Sequence, residues 1–147
     1  MLPQAKNIEF LRDFEIRAEP NLTYEIRRRN DLEEDGIKGD IAGLEAMRQA
    51  IYKIIFTEQR DYVIYSWGYG IRLRDLFGKP IPLVRAELPQ RFIEALLRDD
   101  RISGVMNFTI NHERTRVFIS FDVMTNLGIV PVKNIVFQDG ELNLERR

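Results

Sequence analysis

The residues with the greatest capacity for chemistry in this 147-residue chain are its carboxylates. Glycosidases use one protonated and one ionised carboxyl group on opposite sides of a sugar. A catalytic acid also needs a neighbour or an apolar pocket that raises its pKa. The runs Glu33-Glu34-Asp35 and Asp99-Asp100 are instead typical of solvated loops and helix ends. A pair could form among four other acids, which are Glu45, Glu58, Asp61 and Asp75. The sequence does not give the distance between them.

Other common catalytic centres lack the residues they need. The chain has no cysteine and one histidine, which is His112, so a serine or threonine nucleophile would need this residue as its base. His112 falls in a predicted hairpin turn beside Glu113, where a solvated role is favoured. The absence of cysteine excludes structural disulfides and sulfur-ligated zinc, and Gly68-Tyr69-Gly70 lacks the third glycine of a dinucleotide-binding loop. We expect no catalytic site, no metal site and no cofactor.

The segment Thr57-Glu58-Gln59-Arg60 is better suited to binding than to catalysis. Arginine binds a carboxylate through a planar two-point fork, either inside one chain or across an interface. On local chemistry alone, Glu58 and Arg60 could close the end of a helix or contact another subunit. The same two alternatives hold for the aromatic residues that follow. Alternation along a predicted strand places Tyr65, Trp67 and Tyr69 on one face, which suits either the core or a docking surface.

The basic run Arg27-Arg28-Arg29 is a candidate for contacts with phosphate groups. Acidic residues surround it, and the formal net charge of -1 gives no field towards nucleic acid or anionic lipid. A solvated strand end or a protein contact is therefore the favoured interpretation. No apolar run is long enough to span a bilayer, and the first residues lack the pattern of a signal peptide. We expect a protein that assembles in the cytoplasm with neither nucleic acid nor membrane as partner.

The elements that must position these residues are predicted by the spacing of apolar side chains. Residues 1–39 are polar and predict an extended N-terminal arm with one or two short strands, while residues 40–147 form the main domain. Apolar residues at three- and four-residue steps predict a helix with Asp40 as its N-cap, ending near Thr57. The further predictions are a strand or extended segment at 62–67, a short helix at 71–77 and a proline-containing connector at 79–82. A second helix is predicted to have Pro89 near its first turn and to end near residues 99–100.

The last third of the chain alternates apolar and polar residues with a period of two. This pattern predicts an antiparallel hairpin over 106–123 that turns near Asn111 to Arg114. Further turns are expected at 126–128 and 139–140, with a strand over 129–137 that Pro131 interrupts. The expected fold is α+β: a single domain with two main helices packed on a mainly antiparallel β-sheet, an extended N-terminal arm and a C-terminal β-meander.

The order of these segments resembles the baseplate wedge family of contractile phage tails, the sheath initiators, and especially its PBSX-like prophage branch. The resemblance runs from about Tyr24 to Gly128, which is most of the chain. The matching text is Gly39-Asp40-Ile41-Ala42-Gly43-Leu44-Glu45-Ala46, Gln49-Ala50-Ile51, TEQRDYVIYSWGYGIRLRDLFGKP, EALLRDDRI and VFISFDVMT, followed by Asn126-Leu127-Gly128.

The resemblance implies a non-catalytic subunit of the virion tail baseplate. Such a subunit is present in six copies around a tail tube and contacts other wedge subunits, the tail sheath protein and the tube or hub. In the wider family a Glu-Pro-Arg motif anchors the subunit to the helical core bundle of the wedge. Glu58 and Arg60 match its charged positions, while Gln59 replaces the proline. Family members also offer sheet edges on which the sheath can begin, and the segments expected here are the N-terminal arm and the tail from Lys133 to Arg147.

The alternative function is that of a lysozyme-like glycosidase of the tail. Some wedge-family proteins carry a lysozyme-like label, which implies cleavage of the cell-wall glycan. That chemistry needs a buried acid and a second carboxylate across a cleft, and no residue pattern in the chain independently supports it.

Overall fold

A computed structural model describes residues 22–27 and 36–145 of the chain. Strands β1 (Leu22–Arg27) and β2 (Gly36–Ala42) come first and form an antiparallel pair. Helix α1 (Gly43–Ile55), a 3₁₀ helix (Arg74–Leu76) and helix α2 (Ile81–Leu96) follow. The chain then forms β3 (Ile102–Glu113), β4 (Arg116–Thr125), β5 (Gly128–Gln138) and β6 (Glu141–Leu144). None of the described helices is long and apolar enough to cross a membrane.

Strands β3 to β6 form an antiparallel meander in which each strand pairs with its neighbours in sequence. The period-two pattern places one face of β4 in the core, where Val117, Ile119, Phe121 and Val123 are buried. These side chains share one apolar cluster with the buried residues of α1 and α2. The prediction of an α+β domain with two helices on an antiparallel sheet is confirmed.

An aromatic cluster joins α2 to the sheet. Phe92 is fully buried, and the centre of its ring lies 5.2 Å from that of Phe121 and 5.9 Å from that of Phe108. Phe108 and Phe121 stack across β3 and β4 at 4.7 Å. Because burial of large rings dominates the stability of a small core, these contacts fix the position of α2 and of the segment that leads into it.

The hairpin of β1 and β2 packs beside α1 through one polar side chain. The Nε2 group of Gln49 donates to the carbonyl of Tyr24 at 2.7 Å, and its Oε1 accepts the amide of Ile26 at 2.9 Å. β2 ends at Ala42, and α1 begins at the next residue. The division of the chain into residues 1–39 and 40–147 stays a prediction, and most of the expected arm lies outside the described residues.

The start of the first helix was predicted wrongly. Asp40 lies in β2, paired with Tyr24, and the N-cap of α1 is Ala42, which makes no side-chain capping bond. Pairing with β1 therefore holds residues 40–42 in an extended conformation despite the good capping chemistry of Asp40. The helix ends at Ile55, and the hydroxyl of Thr57 donates to the carbonyl of Lys53 just beyond it.

The start of the second helix was also predicted wrongly. α2 begins at Ile81, so Pro82 lies in its first turn and Pro89 lies inside it. The first helical positions need no amide donor, because their N–H groups have no partner within the helix. The carbonyl of Pro80 accepts the amides of Leu83 and Val84 at 3.0 and 3.1 Å. The second half of the predicted connector, residues 81–82, therefore belongs to the first turn of α2.

Three smaller predictions also need correction, and two turns are confirmed. Residues 62–67 form turns and not a strand. His112 lies at the end of β3, paired with Val117, and the turn itself is formed by residues 114–115. Pro131 does not interrupt β5, where it pairs with Asp122. The turns before β5 and β6 occur where they were predicted.

Candidate protein-interaction site

The segment that connects α1 to α2, residues 56–80, contains little regular structure and is closed by backbone bonds. The amide of Gln59 donates to the carbonyl of Ile71, and the amide of Ile71 donates to the carbonyl of Thr57, both at 2.9 Å. These bonds form an isolated parallel bridge between Glu58 and Ile71. The residues between the two sides of the bridge, 60–70, form a loop with closely spaced ends, which we call the aromatic loop.

Gly70 is required at the point where this loop closes. Its φ is +90°, and a Cβ atom at this position would overlap the carbonyl of Thr57. Only glycine adopts this conformation without strain and also allows so close an approach of two backbones. The segment that resembles the family motif is therefore held against Ile71 by backbone geometry.

Glu58 is bonded inside the chain. Its carboxylate accepts the amides of Leu73 at 3.1 Å and Arg74 at 3.3 Å, at the start of the 3₁₀ helix. These groups would otherwise have no partner within the helix, so the carboxylate acts as a cap from a distant part of the chain. Asp61 adds a second contact with the 3₁₀ helix, because it forms an ion pair with Arg74 at 2.5 Å. Glu58 and Arg60, predicted as a charge pair, have no ion pair with each other in the described part of the chain.

Arg60 lies on the exposed side of the same turn. Its φ is +71°, a conformation that is uncommon for a residue with a side chain. Its guanidinium lies over the ring of Trp67, 5.3 Å from the ring centre. This arrangement leaves the N–H groups at the edge of the guanidinium plane available for a partner.

The aromatic residues do not share one face, because the predicted strand does not form. The rings of Tyr65 and Tyr69 stack at 4.3 Å and are partly buried. Trp67 is 78% exposed, and the loop also presents Val63 and Ile64, whose side chains are 103% and 84% exposed. A group of three large, exposed apolar side chains on one loop is typical of an interaction surface.

Burial alters the chemistry of Tyr69. Burial and the neighbouring Tyr65 raise the pKa of Tyr69 to about 12. The phenol is therefore neutral at physiological pH, and the stacked rings form the inner side of the aromatic loop.

A cleft lies between the connecting segment and the outer face of α2. It is lined by Arg60 and Arg72 from the connecting segment and by Arg91, Glu94 and Arg98 from α2 and the turn after it. We call these five residues the arginine cleft. Arg98 donates to the carbonyl of Gly68 and so joins the aromatic loop to the end of α2.

Arg91 is the internal member of this cleft. It donates to Asp75 at 2.8 Å, to Glu87 at 2.7 Å and to the carbonyl of Arg72 at 2.7 Å. Only 14% of its side chain is exposed. Its hydrogen bonds hold the pKa of Asp75 below the ordinary value, the opposite of the shift that a catalytic acid requires.

The remaining acids and the histidine are placed apart from the cleft. Glu45 is exposed in the first turn of α1. His112 lies near Arg85, with 3.5 Å between the ring Nδ1 and the guanidinium. In the ranges 22–27 and 36–145 no group of three or more histidine and acidic side chains is arranged to hold a metal ion. Arg28 and Arg29 lie outside the described residues, and only the backbone of Arg27 is described.

Sequence reasoning missed Arg72 and Asp75 as neighbours of α2. The helical spacing of Arg91, Glu94 and Arg98 places these residues on one polar face of α2, and this spacing is a signal in the sequence for a charged surface. The sequence does not predict that Arg60 and Arg72 lie near that face, because a strand at 62–67 would direct the connecting segment away from α2. The contact depends on the turns of the aromatic loop.

Comparison with known proteins identifies the family. Residues 9–128 match the family of contractile injection system sheath initiators. The chain belongs to this family. It is also 34% identical over 139 residues to the phage-like element PBSX protein XkdS of Bacillus subtilis (strain 168), a match that covers 90% of this chain and 95% of that protein.

Membership of the sheath-initiator family confirms the resemblance drawn from the sequence. The family is structural, so the protein is a structural component of a contractile tail, and its partners are other tail and sheath components.

Proposed function

We propose that this sheath initiator joins the wedge of a contractile-tail baseplate to the first ring of the sheath. In this proposal six copies surround the tail tube, each copy binds the wedge through Glu58, Gln59 and Arg60, and each offers a sheet edge to a sheath subunit. The observation that carries the proposal is a surface divided in two: a charged turn near α2 and an open strand at the end of the meander.

Support for the sheath contact comes from β6. Within the described residues this strand has a neighbour on one side only. The amide of Glu145 donates to the carbonyl of Asn134 at 2.7 Å, and Leu144 is in register with Ile135. Because successive amides of a strand point in opposite directions, those of Leu142 and Leu144 point away from β5. An added strand could accept these hydrogen bonds and continue the sheet.

The opposite edge of the meander is less suitable for such pairing. Strand β3 has two irregularities in its register with β4, and Asn107, which lies in the second, has a φ of +55°. The side chain of Asn107 donates to Asp122 at 2.8 Å, across to β4. Bulges disrupt the regular row of outward amides and so protect an edge from added strands. The β6 edge is therefore the one that we assign to the sheath.

A matched pair of substitutions at Leu144 tests the sheath contact. Leu144→Ala removes the leucine side chain, whereas Leu144→Pro removes the same side chain and also the outward amide. Tails produced with each variant would be examined by electron microscopy. We expect sheathed tails with Leu144→Ala and baseplates without sheath with Leu144→Pro. Equal numbers of sheathed tails with both variants would contradict the proposal.

Support for the anchor comes from the unequal roles of Glu58 and Arg60. Glu58 fixes the turn by capping the 3₁₀ helix, and Arg60 then extends outward from a fixed backbone. A guanidinium held in this way loses little conformational freedom when it binds, which favours affinity. Gln59, in place of the family's proline, donates its amide to Ile71, a bond that proline could not make. In this chain the backbone bond between Gln59 and Ile71 restrains the turn in place of the proline.

Substitution of Arg60 by glycine tests the anchor without disturbing the fold. Glycine suits the φ of +71° at this position, so Arg60→Gly removes the guanidinium and relieves strain. We expect normal folding, measured by thermal unfolding, together with loss of the protein from purified baseplates. Arg114→Gly, at an exposed turn residue with a φ of +53°, is the matched control. Baseplates that hold both variants equally would show that Arg60 is not an anchor.

A further inference from the structure

The arginine cleft contains more positive charge than the chain itself neutralises. It is lined by four arginines and one glutamate, although the whole chain carries a formal net charge of -1. Arg91 is paired with Asp75 and Glu87. Arg72 is 3.9 Å from Asp75, which already binds Arg91 through both oxygens. The charge of Arg91 is thus matched inside the chain.

Arg60 and Arg98 are in a different state. Neither has a carboxylate within 4.0 Å in the part of the chain that the structure describes, and both are exposed. Arg60 lies over Trp67, and Arg98 donates to the carbonyl of Gly68, so both side chains are held at the border of the aromatic loop. Glu94 accepts a hydrogen bond from Gln90 at 2.8 Å, on the same face of α2. Two oriented guanidinium groups are therefore available for an external anion.

Apolar groups lie beside these two arginines. Trp67 covers one face of the Arg60 guanidinium and is itself largely exposed, and Val63 and Ile64 are exposed on the same loop. Interfaces combine aromatic and arginine anchors in this way, with charged pairs beside an apolar centre. A phosphate backbone would be attracted by the arginines but would gain nothing from the exposed valine and isoleucine. It would also be repelled by Glu94 in the cleft. The combination favours a protein segment over nucleic acid.

We propose that the arginine cleft binds an acidic segment of a neighbouring tail protein. Two of its carboxylates meet Arg60 and Arg98, and an adjacent apolar side chain packs on Trp67. This inference rests on the proposed anchoring at Arg60, and it adds the second arginine and the chemical class of the partner. The planar fork of each guanidinium suits a carboxylate through two parallel hydrogen bonds.

Carbodiimide cross-linking in assembled tails tests the proposal directly. This reagent joins a lysine amine to a carboxylate that touches it, so Arg60→Lys and Arg98→Lys each convert a proposed contact into a covalent bond. Arg114→Lys, on the exposed β3–β4 turn, is the control. We expect mass spectrometry to find the lysines introduced at 60 and 98 linked to aspartate or glutamate of another tail protein. Links to Glu94 alone, or no links from either position, would overturn the proposal.

A second experiment separates the acidic segment from the other outcomes. Arg60→Gly combined with Arg98→Ala should lower incorporation into baseplates at least about tenfold in a protein that still folds, since loss of anchor residues has effects of this size. Incorporation at the normal level would refute the role of the cleft. Binding of a labelled DNA duplex that falls with salt and is lost in this double variant would instead identify a phosphate ligand and overturn the acidic segment.

Failure of this inference can be told apart from failure of the proposed function. If the anchor is correct but the acidic partner is wrong, Arg60→Gly alone removes the protein from baseplates, while Arg98→Ala has no effect and no cross-link to a carboxylate forms. If the sheath contact is wrong, the Leu144 variants give the same tails regardless of the cleft.

Discussion

The helix–sheet core and the connecting segment, residues 56–80, are held together by different kinds of interaction. The core consists of buried apolar side chains such as Phe92, Phe121 and Ile119, which exclude water over a continuous volume. The connecting segment contributes Ile71, Leu73 and Leu76 to this core. Its other residues depend on polar side chains that bond to backbone groups: Glu58 to two amides, Arg91 to the carbonyl of Arg72, and Arg98 to the carbonyl of Gly68. The core is thus stabilised by burial of apolar surface, and the segment by a few buried side chains together with directed bonds.

This difference shows how a small protein can present an irregular surface without losing stability. The core supports the segment through α2, whose inner face packs on the sheet and whose outer face holds the loop. The exposed side chains at the tip of the aromatic loop, Val63 and Ile64, lie outside both sets of contacts. Substitutions in the core, in the internal bonds of the segment and at the loop tip should therefore have successively smaller effects on folding.

The largest effect is expected in the core. Phe92→Ala should lower the free energy of unfolding by about 3–5 kcal/mol, because Phe92 is fully buried and its removal leaves a cavity between α2 and the sheet. Denaturant unfolding measures the loss. A decrease of less than about 1 kcal/mol would show that the aromatic cluster does not fix α2.

A smaller but still large effect is expected where the aromatic loop closes. Gly70→Ala should cost about 2–3 kcal/mol, from positive φ together with overlap of the new methyl group with the Thr57 carbonyl. Gly78→Ala is the matched control, since its φ is +74° but nothing lies within 4 Å of the added carbon. Gly78→Ala should lower the free energy of unfolding by about 1 kcal/mol, which is the cost of the backbone strain alone. Equal costs for the two variants would contradict the close approach at Gly70.

A third effect is expected at the pairing of α2 with the connecting segment. Arg91→Lys keeps the charge but loses the two-point fork to Asp75, so it should cost about 1 kcal/mol. The figure is modest because 41% of the Asp75 side chain is exposed. Arg85→Lys, at a residue with only long contacts to His112 and Ile110, should leave the melting temperature unchanged. If both variants melt alike, Arg91 does not hold the segment.

An effect confined to alkaline pH is expected at Tyr69. Its raised pKa of about 12 means that the folded state keeps the proton that the unfolded state loses near pH 10. Stability from this group is therefore complete below pH 10 and declines as the pH rises from 10 towards 12. Over this window the free energy of unfolding of Tyr69→Phe should change less with pH than that of the parent chain. Denaturant unfolding at several pH values measures this difference. If the free energy of unfolding changes with pH in the same way for both proteins, Tyr69 is not buried.

The smallest effect on folding is expected at the tip of the aromatic loop. Val63→Ser combined with Ile64→Ser should change the free energy of unfolding by less than about 0.5 kcal/mol, because both side chains are exposed. The same variant should enter baseplates less efficiently if the tip packs against a partner. Normal incorporation together with normal stability would exclude the tip from the interface.

The two regions also differ in how well the sequence predicts them. In the sheet, alternating residues such as Ile119, Phe121 and Val123 specify both the strand and its buried face, and the predicted meander is confirmed. The helices are confirmed in type but not at their first residues, because pairing with β1 overrides the capping chemistry of Asp40. The prolines at 79–82 predict a connector, but Pro82 lies in the first turn of α2, where proline is well tolerated.

The candidate site was harder to predict because its geometry arises from long-range bonds. Aromatic and β-branched residues at 62–67 favour a strand locally, yet no strand within residues 22–27 and 36–145 pairs with them, and the bridge of Glu58 with Ile71 turns the chain into a loop instead. The sequence indicated Glu58, Gln59 and Arg60, but not that Glu58 bonds inward while Arg60 points outward. Arg98 joined the site only through its contact with Gly68.

Hydrogen exchange in the free protein and in assembled tails tests the central claim most directly, since it reports each backbone amide in both states. The aromatic loop and the amides of Leu142 and Leu144 should exchange quickly in the free protein and slowly in tails, while the core strands stay protected in both. Fast exchange of these amides in fully assembled, sheathed tails would contradict the claim that they are the surfaces on which the tail is built.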